Sequence, residues 1–299
     1  MQHLDPSPLA SESASGCWHC ACASAGPWQA RRAFLRLGSA AALATAGGAA
    51  LAQVNVGSGS RLRQLVPAQT LEEAATKQYQ ELLAEARAKG ALAPASNPQL
   101  RRLNTIAGRL VPHAAQWNER ARSWRWEVNL IGSQEINAFC MPGGKIAFYT
   151  GILDKLALTD DEAAMIMGHE MAHALREHSR EQLAKNQATG IGLSLGAQLL
   201  GLGDLGNMAA QLGSELLSLR FSRSDESDAD LVGLEMAARA GYNPQAAVTL
   251  WQKMGKATGG GGGNGLAFLS THPSGPERIR ELERNVPKVQ GLYRDSARR

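Results

Sequence analysis

The pentad His169-Glu170-Met171-Ala172-His173, set in the apolar run from Met165 to Ala174, constrains this chain more than any other stretch. Two histidines four apart lie one turn above each other on the same face of an α-helix. Imidazoles so placed can hold one tetrahedral metal ion from one side and leave the opposite side open. Glu170 follows His169 by about 100° around the helix axis, near enough to hold a water beside the ion without ligating it. H-E-x-x-H is a metalloprotease signature for that physical reason. Five residues can match by chance, so the reading depends on whether the chain also supplies a third ligand and a support for substrate.

The helix itself is well signalled. Thr159-Asp-Asp-Glu162 is a capping box, and the helix it opens is predicted to run to about Lys185. On such a helix His178 is turned about 140° from His173 and falls outside the site. Before this helix the pattern has period two. Trp124, Trp126, Val128 and Leu130 alternate with Arg125, Glu127 and Asn129, as in a half-buried strand. Ile136 to Met141 reads as a second strand, Pro142-Gly143-Gly144 as a turn and Lys145 to Thr150 as a third strand, which predicts a small antiparallel sheet. Asn137, Ala138 and Phe139 lack the charged residues that guard an edge strand. They form either an edge to which an extended peptide can add or a fully paired inner strand. Further upstream, Thr70-Leu-Glu-Glu73 predicts a helix to about Lys89, and Asn97-Pro98 opens another with Leu100, Leu103, Ile106, Ala107 and Leu110 on one face.

Downstream, Glu226 and Asp230 are four apart in Arg223-Ser-Asp-Glu-Ser-Asp-Ala-Asp230 and face the same way on a helix. One carboxylate can complete a His₂Glu metal site while the other accepts the N–H of a ligating histidine. Asp225 and Asp228 point elsewhere and are expected to be solvated or paired with Arg220 and Arg223. His272 precedes Ser274-Gly-Pro-Glu277, which caps the last helix. It reads as a donor to an oxyanion, as a fourth ligand that closes the site at rest, or as a surface residue. The glycine run from Gly259 to Gly263 is a flexible loop, either a flap at the site or a surface linker. The apolar stretch from Thr189 to Leu219 is expected to form a pair of core helices, since neither half reaches membrane length.

Composition decides less. A chain of 299 residues with 44% hydrophobic and 19% charged residues can build a core. A net charge of +4 without a Lys/Arg block argues against nucleic-acid binding. Arg31-Arg32-Ala33-Phe34-Leu35-Arg36 followed by an apolar run to Leu51 resembles a twin-arginine export signal, with cleavage expected after Ala52 and a periplasmic location. Residues Gln53 to Leu62 are Gly/Ser-rich and expected to be disordered. Cys17, Cys20 and Cys22 lie in the leader, which leaves Cys140 as the single thiol of the mature chain and no internal disulfide.

Together these pieces resemble the M48-type zinc metallopeptidases, in particular a bacterial periplasmic group, BepA/LoiP-like. The resemblance rests on Asn137-Ala-Phe-Cys-Met-Pro-Gly-Gly-Lys-Ile, Thr150-Gly-Ile-Leu153, His169-Glu-Met-Ala-His173, Glu226-Ser-Asp-Ala-Asp230, Ser270-Thr-His-Pro273 and Glu277-Arg-Ile279. It implies an α+β, mainly helical, gluzincin-type domain at 96–287, with a small antiparallel sheet beside the H-E-x-x-H helix. A leader is expected at 1–52, a linker and N-terminal helix at 53–95 and a tail at 288–299. It also implies one zinc ion per chain on His169, His173 and Glu226, Glu170 as general base and Asp230 as the orienting carboxylate. The TPR repeats of some members have no counterpart here. The implied function is an exported endopeptidase for extended or unfolded polypeptides in envelope quality control, with peripheral membrane contact left open. The rival is a non-catalytic, zinc-containing envelope chaperone or assembly factor, which would need four protein ligands and no Glu170.

Overall fold

The computed structural model describes residues 54–188, 216–258, 267–272, 275–296 and 298. The expected leader, most of the apolar stretch and the glycine run lie outside the described residues. The described chain is mainly helical with one three-stranded sheet, as the α+β expectation requires.

Strands β1 (Glu127–Ile131), β2 (Ala138–Met141) and β3 (Lys145–Tyr149) lie in the order β1-β3-β2. β2 and β3 form an antiparallel hairpin whose turn uses Gly143 and Gly144 at φ 83° and 78°, a region where a side chain is strained. β1 runs parallel to β3, so the sheet is mixed and not antiparallel throughout. The reason is topological. The tight turn forces β2 and β3 to be antiparallel, and β3, buried along most of its length, takes the centre against β1. β2 is left on the edge.

The helices are α1 (Ala68–Ala88), α2 (Pro98–Leu110), α3 (Thr150–Lys155), α4 (Asp160–Leu175), α5 (His178–Ala188), α6 (Arg223–Arg239), α7 (Ala246–Thr258), α8 (Ala267–Thr271) and α9 (Pro276–Ser296). α1 starts behind Pro67 without a side-chain cap, so the expected box at Thr70 and Glu73 does not form. α2 is capped by Asn97 and α4 by the Thr159–Glu162 box, both as predicted. α4 stops at Leu175, about ten residues short of the expected end, and Glu177 turns the chain at φ 60° before α5. α9 continues through Pro287 to Ser296, into the segment expected as a tail. The segment after residue 53 is also anchored and not loose. Val54 is buried and donates its N–H to Glu235 Oε2 at 2.9 Å, and Ser60 N–H reaches Glu181 Oε2 at 3.1 Å.

α4 is the central element, buried along nearly its whole length, and α6 crosses it at Gly168 and Gly233. A Cβ on Gly168 would stand 2.9 Å from Gly233 O, and one on Gly233 would stand 2.6 Å from His169 N. Only two glycines permit that approach. α7 is tied to the start of α4 through Glu162, which accepts from Thr159 N–H at 2.9 Å, Thr249 Oγ1 at 3.0 Å and Lys253 Nζ at 2.6 Å. Among the described residues no helix is long and apolar enough to cross a membrane.

Gly233→Ala is expected to force α4 and α6 apart, costing about 1–3 kcal/mol. Thermal unfolding should show it as a Tm lower by roughly 2–12 °C. Glu162 is penalised by burial, yet Lys253, Thr159 and Thr249 hold its carboxyl below the usual range. Its contribution to stability is therefore present above the unfolded value of about 4.3 and is lost as pH falls through the lower folded value. Glu162→Gln should cost about 1.5–3 kcal/mol at neutral pH. In urea unfolding the deficit should shrink as pH drops below about 4.

Candidate metal centre

α4 presents His169 and His173 on one face, as their spacing requires. The glycine crossing brings the first two turns of α6 against them, and with those turns Glu226 and Asp230. His272 arrives from the end of α8. All five side chains and Glu170 are buried.

His169 Nδ1 lies 3.0 Å from Asp230 Oδ1, so the ring donates Nδ1–H to that carboxylate and turns Nε2 toward the other donors. His173 turns its Nδ1 to His178 Nδ1 at 3.0 Å and its Nε2 to His169 Nε2 at 3.1 Å. With a cation at this point both Nε2 lone pairs would face it; without one, a single proton shared on one Nε2 makes the contact a hydrogen bond. Glu226 Oε1 is 3.5 Å from His173 Nε2 and 3.0 Å from His272 Nδ1, and His272 Nδ1 is 3.4 Å from His169 Nε2. One donor atom from each of His169, His173, Glu226 and His272 lies within 4.8 Å of the others. Donors about 2.0–2.1 Å from a tetrahedral ion stand about 3.3 Å apart, close to these separations. Among the described residues Glu170 Oε1 is buried without a hydrogen-bond partner, an arrangement that costs free energy unless something else satisfies it. Nitrogen and carboxylate donors in a four-point cluster suit zinc, so the residues present fit the ion.

The charges around the cluster follow from burial and pairing. Burial and the neighbouring imidazoles push His173 well below its ordinary value, which leaves it neutral and able to ligate. Burial pushes the Glu170 carboxyl up, against the pull of His272 and His169. Asp230 is desolvated too, but Arg278 and His169 overcome that and hold it far below the carboxylate range. Burial also opposes the charge on Glu226, which His272 and Arg278 nevertheless keep low. His272 is depressed by burial but raised further by Glu170 and Glu226; its Nε2 is 3.5 Å from Glu170 Oε1.

Arg278 was not among the expected site residues. Its Nε and Nη2 donate to the two oxygens of Asp230 at 2.7 and 2.8 Å. Its Nη1 lies 2.6 Å from Glu226 Oε2 as an ion pair. The guanidinium carbon lies over Trp251, 3.7 Å from the ring centre. One signal in the sequence pointed to it: an arginine in the first turn of α9, where the helix dipole disfavours a cation. Two other expectations are corrected. Asp225 closes the capping box of α6 with Ser222. Asp228 pairs with Arg176 and approaches His178 at 3.8 Å, and so is not bound to Arg220 or Arg223. His178 itself, set aside by the helical-angle argument, touches His173.

In front of the cluster lies a cleft of about 410 Å³ lined by Asn137, Ala138, Phe139, Glu170, His173, Phe221 and His272 among others. β2 forms one wall. Tyr149 N–H reaches Asn137 O and Gly144 N–H reaches Met141 O, so the main chain of Asn137, Phe139 and Met141 faces β3. By the alternation of an antiparallel ladder, the main chain of Ala138 and Cys140 faces outward. Of the three expected substrate residues, Ala138 therefore offers its backbone, and Asn137 and Phe139 line the cleft with their backbones engaged. Cys140 is buried, and burial holds its thiol well above the ordinary value.

A histidine pair, a carboxylate from a second helix and a free glutamate beside them define a centre of the metallopeptidase class. Residues 97–286 match peptidase family M48, and the chain belongs to that family. It is 40% identical over 167 residues to the mitochondrial metalloendopeptidase OMA1 of Schizosaccharomyces pombe, covering 56% of this chain and 48% of that protein. With the metalloprotease LoiP of Escherichia coli it shares 28% over 200 residues, 65% of this chain and 73% of that protein. With the beta-barrel assembly-enhancing protease of the same organism it shares 27% over 161 residues, 51% and 32% of the two chains. The chain thus spans about half the length of the fission-yeast relative it matches.

Arg278→Met should leave Asp230 and Glu226 as buried charges without their cation, and breaking such a pair costs about 3–5 kcal/mol. Urea unfolding of the metal-free protein would measure it, and a loss under 1 kcal/mol would contradict the role given to Arg278.

Proposed function

We propose that this chain is a zinc endopeptidase with His169, His173 and Glu226 as ligands, Glu170 as general base and Asp230 as the carboxylate that orients His169. The observation that carries this reading is the position of Glu170. It lies on the ligand helix, buried and, among the described residues, with no hydrogen bond to Oε1, and it faces a cleft walled by β2, the edge strand of the described sheet. One zinc ion per chain, when bound, supplies Lewis-acid activation of water near neutral pH and stabilises developing negative charge. Glu170 takes a proton from the attacking water and returns it to the leaving amine. Its raised affinity for a proton suits both halves of that transfer. Arg278 and Asp230 keep His169 in the tautomer whose Nε2 is free.

The substrate is an extended polypeptide segment. Main-chain groups of Ala138 and Cys140 are placed to pair with it as an added strand, and Asn137 and Phe139 line the cleft it would occupy. A folded domain cannot present a free strand, so unfolded or loop segments are selected. The twin-arginine pattern supports export to the periplasm, and the likeness to LoiP and to the beta-barrel assembly-enhancing protease supports a role in envelope protein quality control.

His272 is assigned as a fourth ligand in the resting state. Its Nδ1 lies among the donor atoms, and its displacement would open a position for substrate. The same four-donor closure would also suit a non-catalytic, structural zinc site, and activity distinguishes the two. With unfolded casein, the full chain should show hydrolysis that a chelator abolishes. Glu170→Gln should retain zinc and lose at least about 100-fold in rate, while Glu226→Ala should lose zinc by mass spectrometry. Wild-type protein that binds zinc and cleaves nothing would favour the structural reading. His272→Ala should raise basal hydrolysis; a fall would instead assign His272 to the oxyanion.

A further inference from the structure

His178 was excluded from the site on the premise of an unbroken helix, where it would point about 140° away from His173. The turn at Glu177, φ 60°, removes that premise and folds His178 back. The ring is buried, with Nδ1 at 3.0 Å from His173 Nδ1 and Nε2 at 3.8 Å from Asp228 Oδ2. Asp228 is fixed by Arg176, whose Nε and Nη2 donate to it at 3.0 and 2.8 Å.

The protons follow by elimination. His173 must keep Nε2 bare to face the donor cluster, so it carries its proton on Nδ1 and donates it. The acceptor is His178 Nδ1, which is therefore unprotonated, and the proton of His178 sits on Nε2, on the side of Asp228. We propose that His178 is a positioning residue of the metal centre: it accepts the Nδ1–H of His173 and keeps Nε2 of that ring aimed at the metal. It does for the second histidine what Asp230 does for the first. The difference is charge. Glu226 and Asp230 already bring two buried carboxylates to Arg278, and a neutral imidazole orients His173 without adding a third.

The inference rests on the zinc reading above, and zinc affinity tests both separately. The full chain is titrated with zinc alone in competition with a chromophoric chelator, comparing wild type, His178→Asn and His178→Leu. Asn and Leu branch at the same atom, but only the Asn carbonyl can stand where Nδ1 stands and accept. Leu should weaken zinc binding about 10–100-fold with an unchanged circular dichroism spectrum, and Asn should stay within a few-fold of wild type. Leu binding as tightly as wild type, or Asn losing as much as Leu, overturns the proposal. Wild type that binds no zinc overturns the metal reading and this inference with it. Should the Leu variant fail to fold, the ¹⁵N–¹H spectrum of the zinc-loaded wild type decides. An Nδ1–H tautomer at His173 is expected, and an Nε2–H tautomer refutes it.

Discussion

Where α4 crosses α6, the peptide groups of Gly168 and Gly233 meet with no side chain between them. The distances from Glu226 and Asp230 to the histidines of the candidate metal centre depend on that approach. Helices separated by ordinary side chains stand about 8–10 Å apart, and this contact is tighter. Because the crossing falls next to His169, the first turns of α6 lie over the histidine face of α4, and Glu226 and Asp230 reach both rings. A methyl group at either glycine would meet the backbone of the other helix at under 3.0 Å, so the two helices that carry the carboxylates and the imidazoles would have to shift.

Closeness of that kind creates an electrostatic problem, and the rest of the centre is arranged around it. Glu226, Asp230 and Glu170 are all buried around the same histidines, where unpaired charge is expensive. Arg278 answers two of them at once, and its guanidinium carbon lies over Trp251. Glu170 has His272 as its nearest cation-forming neighbour, at 3.5 Å, and burial outweighs that pull and raises its carboxyl. His173 turns its Nδ1 to a second imidazole, that of His178, and not to a carboxylate. The result is a cluster whose donors point inward and whose compensating charge comes from α9, the last helix of the chain.

The cleft has a different origin. β3 is claimed by β1 on one side and β2 on the other, which leaves β2, among the described residues, as the edge strand beside Glu170. The hairpin turn at Gly143 and Gly144 sets which main-chain groups face outward: those of Ala138 and Cys140. An apolar strand edge would ordinarily invite aggregation. Here it lines a cleft, with α8 tied to its upstream end through the Phe268 N–H to Ile136 O contact.

Local chemistry was readable from the residues. The four-residue spacings of His169 with His173 and of Glu226 with Asp230, the Thr159 capping box and the turn glycines depend only on near neighbours and on helical or extended geometry, so the sequence by itself determined the histidine helix, the shared facing of Glu226 and Asp230 on theirs, and the strands before it. What it did not carry were facts about long-range encounter. β1 pairs parallel with β3 because of where the hairpin lands, and Arg278 serves Asp230 from 48 residues away. His178 shows the boundary most clearly. Its exclusion was correct for a continuous helix and failed because Glu177 leaves that helix, a turn that no periodicity announces. Only the tertiary structure decided which second groups stand behind the histidines, since a side chain's orienting partner is chosen by packing between elements and not by its place along one of them.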